Sequence, residues 1–381
     1  MKKFTFIDLF AGIGGFHQAM KSLGGECVFA SDIDENAINV YKKNYGIDAR
    51  NDITKVDAKD IPAHDVLCGG FPCQAFSNAG KKQGFNDVRG TLFFDVKRII
   101  EYHKPKYIFL ENVKHLVKHD NGNTWKVIKQ TLIDLGYVLT EKEIISSPHE
   151  IGVPQNRPRI YIMGIRKDLT DKEFLDIKKA EFDIKTSIYD VLDQNVDSKY
   201  NISEYEDKIL TAWNEFKINI NKDVYGFPVW VEEFGKEYDI SDLPDWKQDY
   251  IRKNRKLYLE NKQFIDAWIE KYDVKNFKLR DKKFEWQAGA DYKTVWDTAI
   301  QLRQSGIRCK KTDYFPALVA MVQTPIIGRY KRRLTPREAA RLQSFPDEFI
   351  LDEVDQHAYK QLGNSLNIKL IIYYAKQLFN Q

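Results

Sequence analysis

No hydrophobic run in the 381-residue sequence approaches the ~20 apolar residues that a membrane-spanning helix needs. The apolar opening stretch, MKKFTFIDLFAGIGGF, is interrupted by Asp8 and carries glycines where a signal peptide would place its cleavage site, so it reads as a strand. Cysteine is scarce. Cys27, Cys68, Cys73 and Cys309 form no C-x-x-C pair, which supports neither a disulfide framework nor a metal centre. Charge of one sign is lacking too: 59 Lys and Arg face 55 Asp and Glu, so composition alone names no partner. Internal repeats, low-complexity tracts and a Walker-type G-K-[ST] are all missing. These absences describe a soluble, cytoplasmic, globular chain with room for two or three domains.

What is present is an alternation of short apolar runs with amphipathic patterns. TFIDLF, ECVFASD, DVLCGG, YIFLENV and RIYIMGI have strand character, and GFHQAMKSL, ENAINVYKKN, FFDVKRIIEYH and TWKVIKQTLIDL have helical spacing. The alternation predicts an α/β fold: a doubly wound, largely parallel sheet whose ligand crevice lies beyond the carboxyl ends of its strands. The middle of the chain loses this rhythm and holds six of the seven tryptophans. Its charge is uneven, with 9 Lys/Arg against 19 Asp/Glu over 168–244 and 12 against 7 over 245–283. After about residue 330 the first pattern returns, ending in the apolar helix NIKLIIYYAKQLF. The expected organisation is therefore a first domain over 1–170, a smaller inserted domain over 171–330, and a return segment over 331–381.

In DLFAGIGGF, Gly12, Gly14 and Gly15 permit a tight turn and close approach of backbone N–H groups to a nucleotide-like ligand at a helix N-terminus. A dinucleotide fingerprint would need glycine at position 17, where His17 stands, which disfavours a nicotinamide enzyme. Asp32 ends the second strand, about 20 residues beyond the loop, where a carboxylate accepts ribose hydroxyls. Asp52 is placed to hold an adenine amino group. The plainer alternative is that Asp32 or Asp34 only caps the helix beginning ENAIN.

Cys73 follows the apolar strand DVLCGG in GFPCQAFS, with Pro72 stiffening its approach. An isolated cysteine is usually a small buried hydrophobe, a description that suits Cys68 better than Cys73. A second strand, YIFLENV, ends in Glu111 and Asn112. Two strand ends thus supply a nucleophile and a proton donor, the pair needed to attack an electron-poor ring and stabilise what forms.

DLFAGIGGF, GFPCQAFS, ENV, QNRPRIY, RLTPREAARLQSFP and QLGNS occur in that order, and with them the chain resembles a bacterial DNA (cytosine-5) methyltransferase of the restriction-modification type over about residues 4–166 and 331–381. The resemblance implies the S-adenosylmethionine-dependent methyltransferase fold with an inserted target-recognition domain, and double-stranded DNA as substrate. Cys73 is then the thiolate that adds to cytosine carbon 6, and Glu111 stabilises the resulting enamine. Arg159, and with it Arg157, binds the cytosine carbonyl or orients Glu111. Contacts to S-adenosylmethionine fall to Phe10, Gly12, Gly14, Asp32, Ile33, Asp52, Pro72 and Asn364. Ile33 departs from the tryptophan often found there, and an aliphatic side chain still covers one adenine face. A paired cytosine cannot reach a thiolate in a crevice, so the base must be flipped out. The segment 74–90, with Ser77, Lys81 and Arg89, resembles the mobile loop that closes over DNA. A cognate restriction endonuclease is an implied partner, and a monomer is the expected state.

Sequence choice is expected in the variable middle, where Lys247 to Lys283, interleaved with Tyr250, Tyr258, Trp268 and Tyr272, forms either a DNA face or an amphipathic helix over a core. Lys331, Arg332 and Arg333 form a short basic run suited to phosphate or simply solvated. In FPALVA, Ala317 and Val319 stand where relatives have hydroxyls. Two rivals remain: an RNA cytosine-5 methyltransferase of the tRNA-modifying branch, whose Cys-Phe-Thr element this chain lacks, and a DNA-binding relative without activity. A zinc deaminase is disfavoured because PCQAF lacks the second cysteine of P-C-x-x-C.

Overall fold

The computed structural model describes residues 3–72, 92–220, 226–318 and 324–381. The chain divides into two compact units: residues 1–186 with 317–321 and 339–381, and residues 187–316 with 322–338.

The first unit is built on β1 (Phe4–Leu9), α1 (Gly15–Ser22), β2 (Gly25–Ser31), α2 (Glu35–Tyr45), β3 (Val66–Gly69), α3 (Leu92–His103), β4 (Tyr107–Val113), α4 (Asn123–Asp134), β5 (Tyr137–Leu139), β6 (Ile144–Ser146), β7 (Gln155–Asn156) and β8 (Arg159–Arg166). Its seven-stranded sheet runs β2-β1-β3-β4-β8-β5, with β6 also on β8. The β1 strand pairs in parallel with β2 and β3, and β3 with β4, whereas β8 is antiparallel to β4, β5 and β6. The largely parallel sheet is as the alternation predicts, and the short strands β5 and β6 are additions that their brevity hid. Alternate side chains serve opposite faces. Ile7 and Leu9 join Leu67, Ile108, Leu110 and the α3 and α4 residues Phe93, Ile99, Ile128 and Leu132 in one core cluster. Phe6 turns the other way, to the edge of His17, while Phe109 meets Phe16.

Segment 171–186 belongs with this unit, past the boundary expected at 170. It has no helical or strand period of its own. Its backbone N–H groups at Asp176, Lys178 and Ala180 donate to Gln381, Gln377 and Tyr374, so the far end of the chain holds it down.

The second unit holds α5 (Glu204–Asn219), β9 (Val229–Trp230), α6 (Asp245–Glu260), α7 (Lys262–Tyr272), β10 (Lys283–Gln287), β11 (Ala299–Arg303), β12 (Gly306–Lys310), β13 (Phe315–Pro316), β14 (Ile326–Ile327) and β15 (Arg332–Arg333). A six-stranded sheet, β15-β14-β11-β12-β10-β9, carries an aromatic core. Trp213 stacks on Phe284 with centroids 4.8 Å apart, and its indole N–H donates to the Asp281 carbonyl at 2.9 Å. Trp268 is buried beside it and donates to the Ala212 carbonyl at 2.7 Å. Burying such rings together, each with its N–H satisfied, is how this unit gains its own core. The chain then passes through α8 (Pro336–Leu342) into α9 (Asp355–Asn364) and α10 (Ile368–Leu378), which packs on α1 and β8 of the first unit.

Several lysines of the 247–283 stretch are paired with carboxylates, Lys253 with Asp249, Lys262 with Asp266, Lys271 with Glu215 and Lys282 with Glu232. Of its aromatics, Trp268 is core, as the plainer expectation had it. The basic run is likewise absorbed, with Lys331 on Asp207 at 2.7 Å, Arg332 on the buried Glu338 at 2.7 Å, and Arg333 on Glu206.

Candidate active site

Among the described residues of the first unit, the loop and strand-end residues singled out by the sequence collect at the carboxyl ends of the parallel strands. The strand order reverses direction at β1, with β2 on one side and β3 on the other, and the carboxyl ends of two such strands frame a crevice. The glycine loop follows β1, Asp32 follows β2, Pro72 follows β3, and Glu111 lies near the end of β4. Because β8 is antiparallel, it begins at this edge, opposing Arg159 to Val113.

The loop after β1 is tightly wound. Phe10 (φ 56°), Gly12 (φ 55°) and Gly14 (φ 87°) all adopt left-handed backbone, and the Gly14 N–H donates to the Ala11 carbonyl at 2.8 Å. A non-glycine residue at such φ stores strain, which clusters at functional loops. A Cβ on Gly12 would enter open space with nothing within 4 Å. That gap is a cradle for a ligand backbone contact.

Asp32 closes the loop: its Oδ2 accepts the Gly12 N–H at 2.7 Å, and its Oδ1 accepts those of Ile33 and Asp34, each at 2.8 Å. Three of about four carboxylate acceptor positions are then filled, leaving Oδ2 able to accept a hydroxyl. The helix cap is Asp34, which accepts from Asn36 and Ala37. Two acids that sequence alone left interchangeable therefore separate into a cap and a loop ligand. Ile33 presents an aliphatic side chain that is 76% exposed. Asp52 sits nearby, since segment 49–51 is bridged to the end of β2 through Asp32 N–H to Ala49 and Asn51 to Ala30. Hydrogen bonds from Lys55 and Thr54 hold its carboxyl down at about 2.

Asn364 is the exposed last residue of α9. Lys360, one turn earlier, pairs with Asp34 at 2.7 Å, and a Cβ on Gly15 would meet Leu366 and Ser365. The turn bearing Asn364 thus lies against both the glycine loop and the Asp32 turn.

At the other side of the crevice, Arg159 Nε lies 2.9 Å from Glu111 Oε1, with side chains only 16% and 12% exposed. Burial pushes the Glu111 carboxyl up, against the pull of Arg159 and then Arg157. A Cβ on Gly70 would lie 3.7 Å from Glu111 Oε2, so the exit from β3 runs beside this carboxyl. Asn112, itself buried, donates to the Phe71 carbonyl at 2.8 Å and pins the chain just before Pro72. That tether was not expected, although ENV had marked the strand end. Cys73, Ser77, Lys81, Arg89 and Val319 lie outside the described residues.

The family model for C-5 cytosine-specific DNA methylases matches residues 4–380. The chain belongs to this family. Among curated relatives it is 34% identical to the type II methyltransferase M.HhaI of Haemophilus parahaemolyticus, over 97% of this chain and 92% of that one. It is 36% identical to M.HpaII of Haemophilus parainfluenzae, over 100% and 90%. A solved DNMT2 of Spodoptera frugiperda shares the fold, with a TM-score of 0.58, 22% identity and coverage of 98% and 99%. The chain is thus a DNA cytosine-5 methyltransferase, and the RNA-directed rival is not favoured. Like any methylase it requires a methyl donor. Among the described residues no helix is long and apolar enough to cross a membrane, and no cluster of metal ligands occurs.

In this methylase Arg157 departs from the role expected of it. Its guanidinium is buried and donates to three main-chain carbonyls, Leu318 at 2.8 Å, Gly363 at 2.8 Å and Ser365 at 2.6 Å. Burial and the neighbouring Arg159 pull its pKa down to about 9. The side chain therefore clamps the turn around Asn364 and reaches Glu111 only through its field. Arg157→Met removes the donors of three carbonyls at once, and at ~1–3 kcal/mol for each buried unsatisfied group the expected loss is about 3–5 kcal/mol. Thermal unfolding should show a drop of many degrees, partly recovered by Arg157→Lys, and an unchanged midpoint would refute the clamp.

Proposed function

We propose that this methylase transfers a methyl group from S-adenosylmethionine to carbon 5 of a cytosine flipped out of a specific duplex DNA sequence, through a covalent adduct at Cys73. The observation that carries the reading is the buried Glu111–Arg159 pair, 2.9 Å apart, beside the exit from β3 that leads to Pro72 and Cys73. The donor's adenosyl end suits the residues present: open space over Gly12, a free acceptor position on Asp32 and the exposed face of Ile33. Asp52 and Asn364 complete that side, with Phe10, Gly14 and Pro72 shaping the floor.

When bound, S-adenosylmethionine supplies an electrophilic methyl group. The chain's own residues make the cytosine ring able to accept it. The Cys73 thiolate adds to ring carbon 6, and Glu111, held towards its protonated form by burial, donates to ring nitrogen 3, so the electron pair collects at carbon 5. Arg159 keeps the Glu111 carboxyl oriented through Nε, and its own guanidinium is held by an Nη1 hydrogen bond to the Pro158 carbonyl at 3.0 Å. After methylation, solvent takes the carbon 5 proton, Cys73 leaves as the thiolate and ring nitrogen 3 returns its proton to Glu111, which restores the aromatic ring.

The second unit is assigned to target recognition, and Ser77, Lys81 and Arg89 to a segment that closes over the DNA. With this reading we infer a cognate endonuclease for the same site, a cytoplasmic location and a monomeric enzyme. The test is tritiated methyl transfer from S-adenosylmethionine to unmethylated genomic DNA and to total tRNA. Label on DNA alone is expected, at positions that bisulfite conversion maps to one sequence. Label confined to tRNA would overturn the assignment.

A further inference from the structure

Beneath the glycine loop lies a set of polar side chains that the chemistry above does not use: Asp8, His17 and Tyr41, which are buried, and Cys27 and Tyr45, which are partly buried. Tyr45 is the last residue of α2, fixed there by Gly46, whose left-handed backbone (φ 73°) ends the helix. Its phenol O–H donates to the Gly14 carbonyl at 3.0 Å, with Gln18 Oε1 as a second acceptor at 3.3 Å. Its ring occupies the space a Cβ on Gly14 would need, 2.3 Å away at the closest atom. The two loop glycines thus differ: Gly12 faces open space and Gly14 faces Tyr45.

The ring of His17 stacks flat on Tyr45, with centroids 3.7 Å apart and planes 15° apart. Its Nδ1 is 2.7 Å from the Tyr41 hydroxyl, and its main-chain N–H donates to Asp8 Oδ2 at 3.2 Å. Burial pulls the His17 pKa down to about 3, so the ring is neutral and stacks without the cost of a buried charge. Gly14 is the N-cap of α1 and has no side chain to cap it, so the first turn of α1 depends on these neighbours for its position.

We propose that Tyr45, backed by His17, is a positioning residue that sets this methylase's affinity for the methyl donor by fixing the Gly12–Gly14 loop from below. The proposal rests on the assignment of that loop to S-adenosylmethionine. A loop with left-handed backbone at three positions has nearby alternatives once its Gly14 carbonyl is released, and time spent in them weakens binding in proportion. The methyl-transfer step is untouched, because among the described residues the hydrogen bonds and ring contacts of Tyr45 go to Gly14, Gln18, His17, Tyr41 and Phe349, and none to Glu111 or Arg159.

The experiment is calorimetric titration of the full chain with S-adenosylhomocysteine, alongside steady-state methylation of DNA, for wild type, Tyr45→Phe and Tyr45→Leu. Tyr45→Phe keeps the ring and the stack on His17 and removes only the hydroxyl. It should raise Kd and KM for the cofactor about 3–10-fold, the range one hydrogen bond supports, with kcat and KM for DNA changed less than about twofold. Tyr45→Leu, which also empties the space under Gly14, should raise Kd by more than about 10-fold. An unchanged Kd in Tyr45→Phe, or a fall in kcat without a change in Kd, overturns the proposal while wild type still binds and methylates. Failure of wild type itself to bind S-adenosylhomocysteine overturns the cofactor assignment along with it.

Discussion

Cys73→Ser is expected to abolish methyl transfer to DNA and, with it, cofactor-dependent covalent trapping on duplexes containing 5-fluorocytosine. A serine hydroxyl is only slightly smaller than a thiol, so binding survives. Its proton is held far more tightly than a thiol's, and at neutral pH almost no alkoxide exists to attack carbon 6. The difference is the whole of the nucleophilic step. Labelling should fall to background while gel shifts with DNA and adenosylhomocysteine persist. Residual turnover within about tenfold of wild type would move the nucleophile elsewhere, for which the described residues offer no exposed cysteine: Cys68 and Cys309 are fully buried, and burial drives the Cys27 thiol up to about 12.

Glu111→Gln is the second large effect, a fall in kcat of roughly 10²–10⁴, the range a positioned general acid supplies. The amide keeps the size of the carboxyl and a donor N–H, and it cannot release or accept a proton. It also leaves Arg159 without its carboxylate partner in a site where both side chains are largely buried. The pH dependence separates these effects. Glu111 acts protonated, so wild-type kcat/KM should decline as pH rises through its elevated pKa, and Glu111→Gln should lack that alkaline limb. Arg159 is the foremost group holding that pKa down against burial. Arg159→Leu should therefore move the limb to higher pH while lowering activity. A limb that stays in place in both variants would assign the titration to another group.

The contrast between Arg159 and Arg157 shows where the sequence stops informing. Both arginines of QNRPRIY have the same chemistry and neighbouring positions. Only the strand register, which sets Arg159 across from Val113, and the approach of residues 318, 363 and 365 divide them into a partner for the carboxyl and a clamp for the turn. Asp32 and Asp34 are likewise equivalent in sequence, and only the Gly12 N–H, which donates to Asp32, distinguishes them.

The sequence by itself determined the α/β alternation, the glycine loop, the strand ends that carry Asp32, Pro72 and Glu111, and the family. These rest on local rules: period along the chain, backbone freedom at glycine, and motifs whose residues are neighbours in sequence. Tertiary structure alone decided that 171–186 belongs to the first unit, that Lys331, Arg332 and Arg333 are paired within the second, and that Tyr45 supports Gly14. Apart from Arg332, whose partner Glu338 is six residues on, each of those depends on a partner tens to hundreds of residues away, and a side chain's charge or hydrogen-bonding capacity does not reveal which distant group will satisfy it.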